Sequence, residues 1–320
     1  MDLRQINALL AVADHGSFSA AARALHTVQS NVSTHVARLE RELGAQLIDR
    51  SSGALTEEGE VVAARGRRIL AEVEALVADV SALHAEVSGT VRLGIIGTTA
   101  RWLVPPLVRA MADRHPRVRL VVVDATTSSL QLQLSSGRLE LAVVNLPIED
   151  PDLAVEHLFD EDRLLVAPAG HPLHERDRLS VEDLGAYPLL LEPQGTSFRD
   201  QLDEQCRAAG VELTAQAEVD GMRLLASLAF QGFGAALLPA SAAPGWVGGD
   251  WRPIPVEGLP GRSVGIARRR RTQLSAPARA LRTLLADVIA EEAPRQPGIH
   301  PADRGAGGSG GAPGAGDADG

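Results

Sequence analysis

Three features of the sequence predict an α/β protein with an all-α N-terminal unit. Near the N-terminus, two short helical segments stand on either side of a tight turn. Beyond residue 56, apolar residues recur at alternating steps of four and three, as in a long helix that pairs with another. Past residue 88, short apolar runs alternate with amphipathic stretches, the strand and helix rhythm of a parallel sheet.

The 320 residues suffice for two or three domains. Hydrophobic residues make up 45% and aromatic residues only 3%, so the cores rest on Leu, Val and Ala. No apolar run is long enough for a membrane span, and the N-terminus lacks the basic-then-apolar order of a secretory signal. The single cysteine, Cys206, excludes an intrachain disulfide and fits a reducing cytoplasm. A cytoplasmic protein is expected. The net charge of −10 argues against a bulk polyanion binder. All positive charge is arginine.

Residues 2–14 read as a first helix, with Leu3, Ile6, Leu9, Leu10 and Ala13 on its apolar face. Gly16 ends it and Ser17 caps the next helix, 18–26. The small residues Ala20, Ala21 and Ala22 let neighbouring helices cross closely. A third helix spans 29–43, with Thr27 or Val28 at its start and Thr27 able to serve as N-cap. Val32, Val36, Leu39 and Leu43 form its packed face. Its other face carries Gln29, Ser30, Ser33, Thr34, Ala37, Arg38 and Arg41, with no bulky apolar residue. Short polar groups reach base edges, and arginines reach phosphate or guanine. Such a helix suits a DNA major groove, although a plain solvated face has the same pattern.

These residues carry a resemblance. Leu3-Arg4-Gln5, His15-Gly16-Ser17-Phe18-Ser19-Ala20-Ala21-Ala22, Leu25-His26, Val28-Gln29-Ser30, Val32-Ser33 and Arg38 to Gly44 resemble the N-terminal domain of LysR-type transcriptional regulators. Leu47-Ile48-Asp49-Arg50 and Leu55-Thr56-Glu57-Glu58-Gly59 continue it. The resemblance implies a winged helix-turn-helix over residues 1–58 that binds double-stranded DNA. Gln29 and Ser30 would meet base edges, Ser33 and Thr34 base or phosphate, and Arg38 phosphate. Residues 46–55 would form the wing, where Arg50 alone supplies charge because the tip is Ser51-Ser52-Gly53. The sequence departs from the family at Val28, often polar, at Ser30, often proline, and at Thr34, often arginine. Within residues 1–56, Arg4, Arg23, Arg38, Arg41 and Arg50 are balanced by Asp2, Asp14, Glu40, Glu42 and Asp49. Affinity must then come from placement of a few arginines and from pairing of two copies.

Thr56 caps the long helix, with Glu57 and Glu58 in its first turn where the helix dipole favours them. Val62, Ile69, Val73, Leu76, Val80, Leu83 and Val87 then form a narrow seam. A helix packed on its own domain is one explanation; the narrow seam favours a partner helix, hence a homodimer through residues 59–88. This is also the place and length of the family's linker helix. The resemblance suggests a tetramer and raises RNA polymerase as a further partner.

Ser88-Gly89 breaks that helix. Strands are expected at 90–96, 118–123 and 141–144, with helices at 99–115 and 128–136 between them. Later strands at 163–167, 189–191, 213–219 and 235–238, with helices at 197–209 and 222–231, read as a second lobe. A strand at 263–267 and a helix at 277–290 close the chain. This resembles the family's two-lobed α/β effector domain, over 89–293. The implied lobe I covers 90–161 and 266–293, lobe II covers 162–265, and the hinge lies near Glu161 and Gly265. Residues 294–320 are Gly, Ala, Pro and Asp rich without apolar pattern and are expected to be disordered.

Ligands of open α/β sheets sit beyond the carboxyl ends of strands. There the sequence places Thr98 and Thr99, then Thr127 and Ser128, then Asn145, and Thr196 from the second lobe. Helix N-termini in the same loops favour an anion. Hydroxyls and amides predict binding of a small polar or anionic effector without its transformation, although Thr99, Ser128 and Thr196 also suit helix capping. Arg101 and Arg199 can add charge. No cofactor, metal or catalytic residue is expected. The His171 and His174 pair sits in a loop beside a proline and has no third ligand. Gly232-Phe233-Gly234 follows a helix rather than a strand and reads as a helix end. Arg268 to Arg271 read as a solvated edge, and Cys206 as buried packing. The expected function is a ligand-responsive DNA-binding regulator. The alternative is a cytosolic small-molecule-binding α/β protein with an N-terminal dimerisation module.

Overall fold

The computed structural model describes residues 1–83 and 86–302. α1 (Leu3–His15) opens on Asp2, which accepts from the Gln5 amide while the Gln5 side chain accepts from the Asp2 amide. α2 (Phe18–Ala24) is capped by the Ser17 hydroxyl. α3 (Gln29–Leu43) starts differently from expectation. Val28 is its N-cap and no side chain caps it; the Thr27 hydroxyl instead accepts from Asn31 Nδ2 at 3.0 Å. Leu9, Val12, Ala21, Val32, Val36 and Leu39 form the shared core with Leu47 and Ile48. Leu3 and Leu43, expected on apolar faces, are each 43% exposed. One is the first and the other the last residue of its helix, outside the three-helix core.

The wing is reduced to one antiparallel bridge, Ile48 with Leu55. Asp49 holds its turn by accepting from the Ser51 amide and from the Ser51 and Ser52 hydroxyls. Those bonds, the Ser51 hydroxyl first, keep the Asp49 carboxyl below its usual range.

α4 (Glu57–Ala82) is capped by Thr56, whose hydroxyl accepts from the Gly59 amide at 3.0 Å. The helix is shorter than the expected 59–88. It stops at Ala82, and residues 86–88 have no regular structure, because the first sheet strand already begins at Gly89. Part of the expected linker, residues 84–85, lies outside the described residues. Two glycines let α4 approach its own unit. A Cβ at Gly59 would lie 2.0 Å from the Leu47 carbonyl oxygen, and one at Gly66 2.7 Å from Ile6 Cγ2. Gly59→Ala should cost about 1–3 kcal/mol. It should lower the thermal midpoint of the N-terminal unit by roughly 5–15 °C, read by circular dichroism. An unchanged midpoint would contradict this packing.

The rest forms two lobes. In order come β1 (Gly89–Ile95), α5 (Gly97–Arg114), β2 (Val118–Asp124), α6 (Thr127–Ser136), β3 (Leu141–Asn145), β4 (Leu153–Glu161) and β5 (Arg163–Pro168). Then come β6 (Leu179–Ser180), α7 (Val181–Leu184), β7 (Leu189–Leu191), α8 (Ser197–Ala208), β8 (Ala215–Glu218), α9 (Met222–Phe230) and β9 (Ala236–Pro239). The chain closes with β10 (Trp251–Glu257), β11 (Arg262–Arg269), α10 (Ala276–Glu292) and β12 (Ile299–Pro301). Lobe I has the strand order β12-β4-β11-β3-β1-β2 and lobe II the order β6-β10-β5-β9-β7-β8. Parallel pairing in lobe I holds for β1 with β2 and β3; β11, β4 and β12 join antiparallel.

The chain crosses between lobes at Asp162 and again over 258–261. The second crossing precedes the expected Gly265, which lies inside β11, so 262–265 belong to lobe I. β4 and β10 were not expected as strands. β4 is rich in charge and shows no clean alternation, and β10 carries Pro253 and Pro255. The expected disorder is corrected for residues 294–302. Ile299 is buried and β12 pairs with β4, while the Gln296 side chain donates to the Ala240 and Ala243 carbonyls. Residues 303–320 lie outside the described residues.

Candidate DNA-binding face and effector cleft

The two faces of α3 are sharply divided. Val32, Val36 and Leu39 are at most 2% exposed, whereas Gln29, Ser30, Ser33, Thr34 and Arg38 are all exposed. α1 and α2 pack behind the buried side. The Ser19 hydroxyl of α2 donates to Gln29 Oε1 at 2.7 Å, which engages the amide oxygen and not the amide nitrogen. The Thr34 hydroxyl donates to the Ser30 carbonyl at 2.7 Å and keeps its lone pairs free to accept. Glu40 pins the wing by accepting from the Leu47 amide, and Arg50 stands 3.4 Å from its other oxygen with most of its side chain in solvent. Val28, the N-cap of α3, is 60% exposed and adds an apolar group to this face.

On α4 and its C-cap Leu83, the residues Ile69, Val73, Leu76, Val80 and Leu83 are 39–82% exposed, and Val77 joins them. Val62, expected on the same seam, packs instead against the N-terminal core. The free seam therefore runs from Ile69 to Leu83. A cavity of about 430 Å³ lies between α4 and lobe I, lined in part by Val73, Val77, Ala78, Arg92, Arg138 and Glu140. Burial pushes the Glu140 carboxyl up, and it accepts from the Ser275 hydroxyl at 2.8 Å.

Five of the six residues expected at the effector site gather at the carboxyl ends of the parallel strands of lobe I. α5 begins directly after β1 with no side-chain cap, so the amides of its first turn are open to an acceptor. Thr98 and Thr99 stand there, both buried. The Thr98 hydroxyl accepts from Arg262 Nη2 at 2.7 Å. Thr99 Oγ1 and Asn145 Oδ1 are buried without a partner. The Thr127 hydroxyl accepts from the Asn145 amide at 3.1 Å, and Ser128 beside it is exposed. The sixth, Thr196, is on lobe II. Its hydroxyl caps α8, accepting from the Arg199 amide and donating to the Pro193 carbonyl at 3.0 Å. Arg199 is also internal: it is 3% exposed and bonds to Asp203, Glu218 and the Glu192 carbonyl.

Beside the expected hydroxyls and amides stands an ion pair that the sequence analysis did not name. Arg262 Nε donates to Glu161 Oε1 at 2.6 Å, and Glu161 Oε2 accepts from the Ser241 amide at 2.8 Å. Both charges sit at the lobe crossings, and Glu161 is fully buried. Glu192, at the end of β7, feels Asp220 and Arg262; burial pushes its carboxyl up. Glu161 and Arg262 are 101 residues apart, and only the paired sheet strands bring them together, so no local sequence signal marks them. Next to the first crossing, Arg163 is buried over the Phe198 ring and donates to Gln201 at 2.9 Å and to Gln205. Burial pulls its guanidinium down to about 10.

Side chains also join the two lobes. Arg223 of α9 pairs with Asp124 at the end of β2. Arg101 of α5 lies 5.3 Å from the Phe230 ring and 5.7 Å from the Trp246 ring of lobe II. Elsewhere, His174 Nδ1 bonds to the Ala167 carbonyl and His171 stacks edge-on against Tyr187. The Arg268 to Arg271 run is not simply a solvated edge. Arg269 and Arg270 donate to main-chain carbonyls of lobe I. Cys206 is fully buried in α8, and burial pushes its thiol up. Among the described residues, no helix is long and apolar enough to cross a membrane.

A family model described as bacterial regulatory helix-turn-helix protein, lysR family, matches residues 3–60. One described as LysR substrate binding domain matches residues 84–290. A probable hydrogen peroxide-inducible genes activator from Mycobacterium leprae is 35% identical over 300 residues, 90% of this chain and 94% of that protein. The DNA-binding transcriptional dual regulator OxyR of Escherichia coli K12 is 30% identical over 246 residues, 76% of this chain and 81% of that protein. A solved full-length OxyR from Pseudomonas aeruginosa, carrying a cysteine substitution, superposes with a TM-score of 0.72. It is 27% identical, covering 90% of this chain and 94% of that one.

Proposed function

The chain belongs to the LysR family of bacterial helix-turn-helix regulators, and from that premise we propose how it reads DNA and what its cleft accepts. The observation that carries the proposal is the division of α3, three apolar residues inside and five polar or cationic residues outside. Gln29 and Ser30 meet base edges, Ser33 and Thr34 meet base or phosphate, and Arg38 and Arg50 meet phosphate. The α4 seam pairs two copies, so that two α3 helices meet successive major-groove faces. A tetramer and a contact with RNA polymerase extend the same reading.

The effector is a small polar or anionic molecule held at Thr98, Thr99, Thr127, Ser128 and Asn145, with Thr196 bounding the site from lobe II. The support is chemical. An uncapped helix start supplies N–H groups and a favourable dipole, and two buried oxygens stand without partners beside it. Binding there shifts the balance of lobe arrangements and with it the spacing of the DNA-binding units. The reading contains no catalysis, cofactor or metal, and it places the protein in the cytoplasm with its DNA. A small-molecule-binding protein whose N-terminal helices only dimerise would leave the outer face of α3 without a task.

The inducer named for the relatives is not carried over. Here the one cysteine is buried and its thiol is pushed toward the neutral form, which is a poor nucleophile toward peroxide. Hydrogen peroxide is expected to leave DNA affinity unchanged and to give sulfenic acid labelling only after denaturation. A Cys206-dependent change in DNA binding would contradict this.

The cleft is tested with a panel of small carboxylates, phosphates and amides, read by thermal midpoint and by footprints on the gene's own upstream duplex. At least one compound should raise the midpoint and alter the footprint, and Thr99→Val should remove both effects. A panel without effect on the footprint, or effects that survive Thr99→Val, would sink the assignment.

A further inference from the structure

α6 runs from the effector cleft to the linker helix. Its first turn carries Thr127 and Ser128, behind the Thr126 cap. Its last turn is held by two arginines from other elements. Arg68 of α4 donates to the Ser135 carbonyl through Nε at 3.0 Å and again through Nη2. Arg269 of β11 donates to the Leu134 carbonyl at 3.0 Å. These carbonyls belong to a helix C-terminus, where the dipole favours a cation. Gly137 follows at φ +80, and a Cβ there would meet Arg68 Cγ at 2.9 Å and Arg269 Nη1 at 3.2 Å. One residue later Arg138 stands 3.6 Å from Asp14 of α1, a carboxylate that Arg67 of α4 also holds at 2.7 Å. One helix of ten residues, about 15 Å long, thus begins at the cleft and ends against the linker and the DNA-binding unit.

Around this contact, α4 is tied to lobe I by directional polar bonds. Glu74 pairs with Arg92 at 3.2 Å, and Asp79 accepts from the Ala276 amide at 2.8 Å. The cavity of about 430 Å³ lies beside them. Bonds of this kind, with space alongside, can shift without tearing an interlocked core.

We infer that α6 is the mechanical link between cleft and linker, and that Arg68 is the positioning residue that reads its displacement. The inference rests on the effector-cleft assignment above. An effector drawn to Thr127, Ser128 and Asn145 moves α6, the Ser135 carbonyl moves with it, and Arg68 passes the shift to α4 and so to α3.

The test replaces the unidentified effector with a covalent one. In a Cys206→Ala chain, Ser128→Cys is tagged with sulfonatoethyl methanethiosulfonate, which places an anion at the start of α6. The tag should change affinity for the upstream duplex at least about five-fold. With Arg68→Met the same tag should change it less than about two-fold, while the untagged variant binds and melts like its parent. Arg68→Lys keeps a cation at the helix end and should retain part of the response. Hydrogen exchange gives a second readout: duplex binding should alter protection of the α6 amides in the parent and not in Arg68→Met. A tag effect that survives Arg68→Met, or no tag effect in the parent, overturns the link. Compounds that bind away from Thr99 would overturn the cleft assignment and leave the tag result standing.

Discussion

Replacing Gln29 and Arg38 together by alanine should lower affinity for the upstream duplex at least ~100-fold while the helical content stays unchanged. A well-placed base contact is worth about 1–3 kcal/mol, and a dimer makes each contact twice. Both side chains lie on the exposed side of α3, and Val32, Val36 and Leu39 hold the helix without them. The two changes should also differ in kind. Gln29→Ala should relax preference among sequences, whereas Arg38→Ala should weaken all duplexes alike and flatten the salt dependence. Gel shifts on the upstream duplex and on scrambled duplexes, at two salt concentrations, measure both. Specific binding at parental affinity in the double variant would remove α3 as the reading element.

The second large effect concerns the seam. Leu76→Glu with Val80→Glu should turn the dimer into a monomer and cost at least ~100-fold in DNA affinity, because pairing makes the second half-site contact intramolecular. The two residues are 64% and 50% exposed, so the chain itself should fold as before. Four glutamates would face one another across a pair of helices, with apolar burial lost at the same places. Sedimentation and the gel shift report the two consequences separately. A variant that remains dimeric would show that the copies meet elsewhere.

The N-terminal unit was largely legible because its signals are local. Periodicity placed α3 at its observed bounds, and Ser17 and Thr56 act as the caps that their positions suggest. The error at Thr27 is a local one too: it bonds to Asn31 and leaves the cap to Val28. Legibility fell where partners are distant. β4 and β12 form only because they pair with strands far along the chain, and polar composition hid both. The cleft threonines were visible as residues after strand ends, but Glu161 and Arg262 were not, since their pairing is a product of the finished sheet. Arg269 looked like surface charge and turned out to close the end of α6. Thr196 and Arg199 show the converse. Their sequence setting suits a ligand, yet their bonds are already taken by α8 and its neighbours.

The central claim is that the outward face of α3 lies against duplex edges in a paired protein. Cleavage from a chelated iron attached at Ser33→Cys, in a Cys206→Ala chain bound to the upstream duplex, tests it directly. The account predicts two clusters of strand scission in major-groove positions, about one helical turn or a multiple of it apart. Scission spread evenly along the duplex, or none while the complex is bound, would contradict it.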